Sequence, residues 1–145
     1  MGILKHLVLP VFCLYHLATI GIALIQGKKG LAVAAGFFES DDPDLTRLEV
    51  HFLGAYVGIS LGLLFNSLGA ILVENSHYRG MATGLELIVA ATDAIDGLYF
   101  SGPGFEDGAQ FLVGLSALAT VGLIVHAMEP GIFTKDKKDS STKTD

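Results

Sequence analysis

The chain has no tryptophan, one cysteine and few charges, and each shortage excludes something. A lone cysteine, Cys13, cannot make an intrachain disulfide or a CxxC metal or redox site. Only 17% of the residues are charged, against about a quarter in an average soluble domain. That is too little charge for an ordinary water-soluble surface. Nine Lys and Arg stand against fifteen Asp and Glu, for a net charge of −6. The basic residues are scattered rather than gathered into a patch, so no nucleic-acid partner is expected. GxGxxG, P-loop and GxSxG patterns are missing, and no cofactor is expected. His16, His51 and His126 fall on different apolar stretches, not at zinc-ligand spacing, so no metal is expected either.

Apolar residues fill the space that charge leaves. The chain of 145 residues is 51% hydrophobic, with a mean hydropathy of +0.56. Four stretches are long enough to cross a bilayer core, which takes roughly 20 helical residues. They lie near 4–25, 48–72, 80–100 and 109–128. The runs are continuous rather than alternating, and lipid offers no partner to an unpaired backbone, so helices are expected. The fold class read from this pattern is all-α. It is a polytopic membrane protein, an antiparallel and left-handed four-transmembrane-helix bundle over residues 1–133, followed by a disordered polar tail at 134–145. The first run is too long for a signal peptide and lacks a small-x-small cleavage site, so it is read as a retained helix, bent near Pro10. The myristoylation pattern fails at His6, where Ser or Thr is required.

The longest loop spans residues 26–46. It carries an apolar patch at 31–38, too short to cross, which suits a short interfacial or re-entrant helix. An acidic turn at 39–44 follows, and Asp44 or Thr46 is placed to cap the second span. A Gly-Pro turn at 101–104 separates spans three and four. In the second span Gly54, Gly58 and Gly62 recur every four residues, and Asn66 continues the row. Such a row lets another helix backbone approach closely, with Asn66 bonding across. Packing within the chain is the plain reading of this seam, and a homo-oligomer through the same face is the alternative.

The third span carries Glu86, Asp93 and Asp96, each costly at a helix centre by roughly 2.5–3.5 kcal/mol. It inserts poorly without neighbours, and its acids must face them or water. Glu86 and Asp93 differ by only about 20° around a helix. Thr83, Ala90 and Gly97 share that line, so one small, polar face is expected to turn inward. Glu49, His51 and Asp96 fall near the outer end, Asp93 about two turns in, and Tyr56 and His16 at mid-depth. Asn66, Glu86 and His126 lie in the inner half. His126 suits a membrane-edge position better than a catalytic one.

Two carboxyl groups in unequal surroundings make a general acid and a general base. Asp93, the deeper, is the candidate acid, Glu49, nearer water, the candidate base, and Glu86 a third candidate catalytic carboxyl. His16, His51, Tyr56, Asp96 and Asn66 are candidate substrate-binding residues. This set resembles small membrane isomerases, cyclases and epoxide hydrolases that act on sterols, terpenoids or polyketides, in span count and in the placing of acids. The likeness implies a cofactor-independent enzyme for a lipophilic small molecule, with no catalytic residue carried over position by position. Arg47 and Glu49 also give the chain a looser likeness to four-span families with an acid or arginine at the start of span two. A non-catalytic accessory or structural subunit of a membrane complex is the competing reading. A transporter or proton-conducting element is the third, disfavoured by four short helices with no broken span.

Six Lys and Arg flank one side of these spans (Lys5, Arg79, Lys135, Lys137, Lys138 and Lys143) and three flank the other (Lys28, Lys29 and Arg47). The positive-inside rule then puts both termini in the cytosol, with the endoplasmic reticulum as the candidate membrane. Protease added to sealed microsomes should remove the tail from the cytosolic face. Cleavage only after the lumen is opened would reverse the orientation.

Overall fold

A computed structural model describes residues 2–34, 47–99 and 106–129, with side chains for 2–25, 54–99 and 108–129. Among the described residues there are four helices and no strand. They are α1 (Leu9–Ala34), α2 (Arg47–Leu72), α3 (Ser76–Tyr99) and α4 (Glu106–Met128). Three of them hold stretches long and apolar enough to cross a membrane: Leu4–Ile25, Gly54–Leu72 and Gly108–Met128. α3 is outside that set, for the reason visible in its sequence: Arg79, Glu86, Asp93 and Asp96 dilute it.

A π-helical turn, Leu4–Val8, leads into α1, and the Leu9 N–H closes it on the Leu4 carbonyl. Pro10 has no N–H to give and its ring crowds the carbonyl four residues back. A wider turn just ahead of a proline is one way to absorb that conflict. α1 then runs on through Gly27 and Gly30 to Ala34. This corrects the expected loop from residue 26. Each glycine costs a helix about 1 kcal/mol but, unlike proline, leaves the hydrogen-bond ladder intact. Residues 31–34 of the expected interfacial patch are therefore the end of α1. The rest of the patch, the acidic turn, the caps Asp44 and Thr46, the 101–104 turn and the 134–145 tail lie outside the described residues.

α2 turns into α3 within three residues, held by side chains. The Asn75 Oδ1 accepts the Tyr78 N–H at 3.0 Å, capping the start of α3. The Arg79 guanidinium donates to the Ala70 and Val73 carbonyls at 3.1 and 2.8 Å, meeting acceptors that the end of α2 leaves open. α1 packs closely along α2, and α3 along α4. The two hairpins meet most tightly at the end where α1 begins. There Leu4, Val8, Leu9 and Phe12 are buried with Ala70, Ala82, Leu115 and Ala119. The His126 Nε2 reaches the Ser76 carbonyl at 3.1 Å and its Oγ at 3.3 Å, pinning the end of α4 to the start of α3. That is a structural post, in keeping with its expected place at the edge.

The glycine row of α2 meets no other helix among the described residues. A Cβ at Gly54, Gly58 or Gly62 would have nothing within 4 Å, and all three positions are exposed. Among the described residues, packing within the chain does not use this face. α2 instead buries Ser60, Leu63, Leu64, Ser67 and Ala70, and of these Ser67 bonds the Glu86 carboxyl. The close approach that needs glycine lies elsewhere. A Cβ at Gly122 would meet the Val8 Cγ2 at 2.6 Å and the Leu4 Cδ2 at 3.1 Å. Gly122→Val should therefore cost about 1–3 kcal/mol through overpacking, while Gly58→Ala should leave stability unchanged or raise it by up to about 1 kcal/mol. Thermal unfolding of both variants in detergent checks the contrast.

Candidate functional site

Glu86 is buried on all sides, 1% exposed, and so is His16 of α1, at 2%. The His16 Nε2 lies 2.9 Å from the Glu86 Oε2. The Ser67 hydroxyl of α2 donates to the Glu86 Oε1 at 2.5 Å. Three helices therefore meet on one carboxyl group. The α3 face that brings it inward reads Thr83, Glu86, Ala90 and Gly97, all buried. The small residues let the neighbouring helices come near enough for side chains to reach across. The rings of Tyr15 and Phe12 flank the His16 imidazole, with centroids 5.1 and 6.5 Å away. One hydrogen lies between Nε2 and the carboxyl. When His16 is neutral and holds it, the Nδ1 is an acceptor, and this buried atom has no partner among the described residues.

A second polar chain runs beside the first. The Tyr15 and Tyr56 hydroxyls are 2.9 Å apart, linking α1 to α2. Tyr56 is in turn within side-chain hydrogen-bond reach of Asp93 on α3. Asp93 is half-buried, and Asp96 is exposed one turn on, near enough for its charge to repel that of Asp93.

Both chains border one cleft of about 270 Å³, a volume that includes its open mouth. α1 lines it with Phe12, Tyr15 and His16, and α2 with Tyr56, Ile59, Ser60 and Leu63. α3 contributes Glu86, Val89, Ala90 and Asp93, and α4 contributes Leu112. Two polar bridges between α2 and α3 frame it, Tyr56 with Asp93 at one end and Ser67 with Glu86 at the other. Its enclosed part has room for about one water molecule. On the α1–α4 side Tyr15 and Leu112 line it, and the Tyr15 ring also meets that of Phe111, 5.8 Å between centroids.

No family model, curated protein or solved structure matches the chain. The chemistry of the cleft is therefore argued from its own residues.

Of the candidate residues, the structure brings Asp93, Glu86, His16 and Tyr56 to the cleft. Asn66 faces α3 elsewhere, its Oδ1 accepting the Tyr78 hydroxyl at 3.1 Å. Its role is to join helices, as its place in the row suggested, and it does not line the cleft. Asp96 stands at the surface beside Asp93. Glu49 and His51 lie on α2, seven and five residues before Tyr56, and their side chains are outside the described residues. Asp93 meets α2 at Tyr56, about 10 Å along the helix from Glu49. The sequence reading missed Tyr15 and Ser67. A signal for Ser67 existed in the spacing Tyr56, Ser60, Ser67, which places three hydroxyls on one face of α2 at i, i+4 and i+11. Tyr15 gave no such signal, because a tyrosine on an apolar helix reads equally well as packing.

The arrangement can hold and move protons. An imidazole and a carboxyl share one hydrogen beside an unpaired imidazole nitrogen, and a second carboxyl sits across the cleft behind two phenols. It is also a lock between helices. His16→Ala strips Glu86 of a partner and should cost roughly 1–3 kcal/mol, while Glu86→Gln/His16→Ala together should cost less than the sum of the single changes. A double-mutant cycle read by thermal unfolding in detergent measures that coupling. An additive cycle would show that the pair contributes nothing as a pair.

Proposed function

We propose that the chain is an integral membrane enzyme acting by acid–base catalysis on a lipophilic small molecule. In this reading α3 crosses the bilayer with the other three helices, its acids turned toward them. A 24-residue helix extends about 36 Å, enough to span. The reaction class is isomerisation, cyclisation or epoxide opening of a terpenoid, sterol or polyketide.

One observation carries the proposal: a carboxyl–imidazole pair and a second carboxyl from the same helix face line a single cleft within an apolar bundle. Ionisable groups at such depth are expensive, and function is the usual reason to keep them. The His16–Glu86 pair takes the base role expected of Glu49, receiving a proton from the substrate at the free Nδ1. Asp93, backed by the Tyr56 and Tyr15 hydroxyls, delivers a proton at the other end. For isomerisation the two transfers balance, with no other reactant. For epoxide opening Asp93 protonates the oxygen and the base takes a proton from attacking water.

The structural-subunit reading draws on a different observation. Both Glu86 oxygens are engaged within the protein, and the enclosed space is small. A lock between helices needs no more than that.

Incubating the purified protein in nanodiscs with an isoprenoid and sterol lipid extract separates the two. In deuterated water an isomerase or cyclase writes deuterium into its substrate, and in ¹⁸O-water an epoxide hydrolase writes in ¹⁸O. Mass spectrometry should show label with the wild-type chain and none with Asp93→Asn or Glu86→Gln, both folded by circular dichroism. Equal labelling by wild type and variants, or no labelling at all, would favour the structural subunit.

A further inference from the structure

We infer that the cleft binds a long-chain primary amine, its ammonium beside Asp93 and His16 and its chain passing Ile59 into the bilayer. The inference rests on the cleft being a small-molecule site and does not require turnover.

Charge gives the first argument. The cleft is lined by two carboxyl groups, with no Lys or Arg among the described residues around it. Glu86 has the His16 imidazole as a possible counter-charge. Asp93 has the neutral Tyr56 hydroxyl, and Asp96, of the same sign, lies one turn on. A neutral amine entering the cleft takes up the proton that Asp93 carries, and the resulting ammonium and carboxylate pair as opposite charges where the protein offers no cation among the described residues. The rings of Phe12, Tyr15 and Tyr56 suit the same guest, since aromatic faces attract ammonium groups.

The buried Nδ1 of His16, on a residue that lines the cleft, lacks a partner among the described residues. With the hydrogen on Nε2 it needs a donor, and an ammonium N–H is one. An alcohol would satisfy that atom but is too weak a base to take the Asp93 proton and pair with its carboxylate. Size then narrows the choice. A primary ammonium is about as large as the single water the enclosed space admits, whereas a trimethylated one is not.

The route for the chain follows from the walls. Tyr15 and Leu112 wall the α1–α4 side. On the α2–α3 side Ile59, which is 54% exposed, lines the cleft together with Leu63 and Val89. An alkyl chain leaving there stays in apolar contact from the cleft to lipid.

Dodecylamine, dodecanol and dodecyltrimethylammonium test the three arguments against one another in thermal unfolding of the full chain in nanodiscs. The amine should raise the melting temperature saturably, by roughly 5–10 °C at about 100-fold its Kd. The trimethylammonium compound, of equal charge and chain, should not. Asp93→Asn should weaken the amine roughly 30-fold or more. Ile59→Trp, at an exposed position that folding tolerates, should block the mouth and also weaken it. A response to dodecanol equal to that to the amine would overturn the cationic ligand, and so would undiminished amine binding by Asp93→Asn. Equal stabilisation by the trimethylammonium compound would reduce the effect to nonspecific adsorption. Amine binding without isotope incorporation keeps this ligand and removes the catalytic reading, and incorporation without amine binding does the reverse.

Discussion

The Glu86 carboxyl group, enclosed by three helices, is the constraint on which the rest of the packing depends. Placed alone in an apolar bundle it would be prohibitively costly, so its partners must be in register. His16 reaches it from α1 and Ser67 from α2. Satisfying both oxygens fixes the height and rotation of α1 and α2 against α3 at once. A slip of one residue on any of the three turns a side chain by about 100° and leaves a buried polar group unpaired. Apolar contacts alone tolerate such slips far better, so the polar lock supplies the uniqueness that leucine and alanine packing lacks.

The bundle is unevenly filled as a consequence. At the end where α1 begins, large side chains, the Gly122 contact and the His126–Ser76 bond draw all four helices together. Beyond Glu86 the residues buried on α3 are small, Ala90, Ala94 and Gly97. Ala90 borders the cleft, which is bridged by phenols and Asp93 rather than filled with aliphatic carbon. The same small residues that allow the polar lock also create the opening beside it, so stability and the candidate site come from one feature of α3.

The outward glycine row of α2 shows how a strong local pattern misleads. Gly54, Gly58 and Gly62 have the spacing of a helix-packing seam, yet the chain packs α2 through Ser60, Leu63 and Ser67. A row of small residues permits close approach without demanding it, whereas a buried carboxyl demands a partner. Where the two conflict over the rotation of one helix, the demand prevails.

What the sequence determined by itself is what local periodicity and composition can encode. The apolar runs set three membrane-length helices, and the 3.6-residue period of α3 identified the inward face with Thr83, Glu86, Ala90, Asp93 and Gly97. Which acids needed partners was legible too, since Asp93 and Glu86 were costly wherever they pointed. Their partners were not. His16 is 70 residues from Glu86 and Tyr15 is 41 from Tyr56. Nothing in either local segment specifies the other. The first pairing was decided by the docking of the α3–α4 hairpin on the α1–α2 hairpin, and the second by the packing of α1 along α2. Only that packing brings groups so distant in sequence within bonding distance and withdraws them from water together.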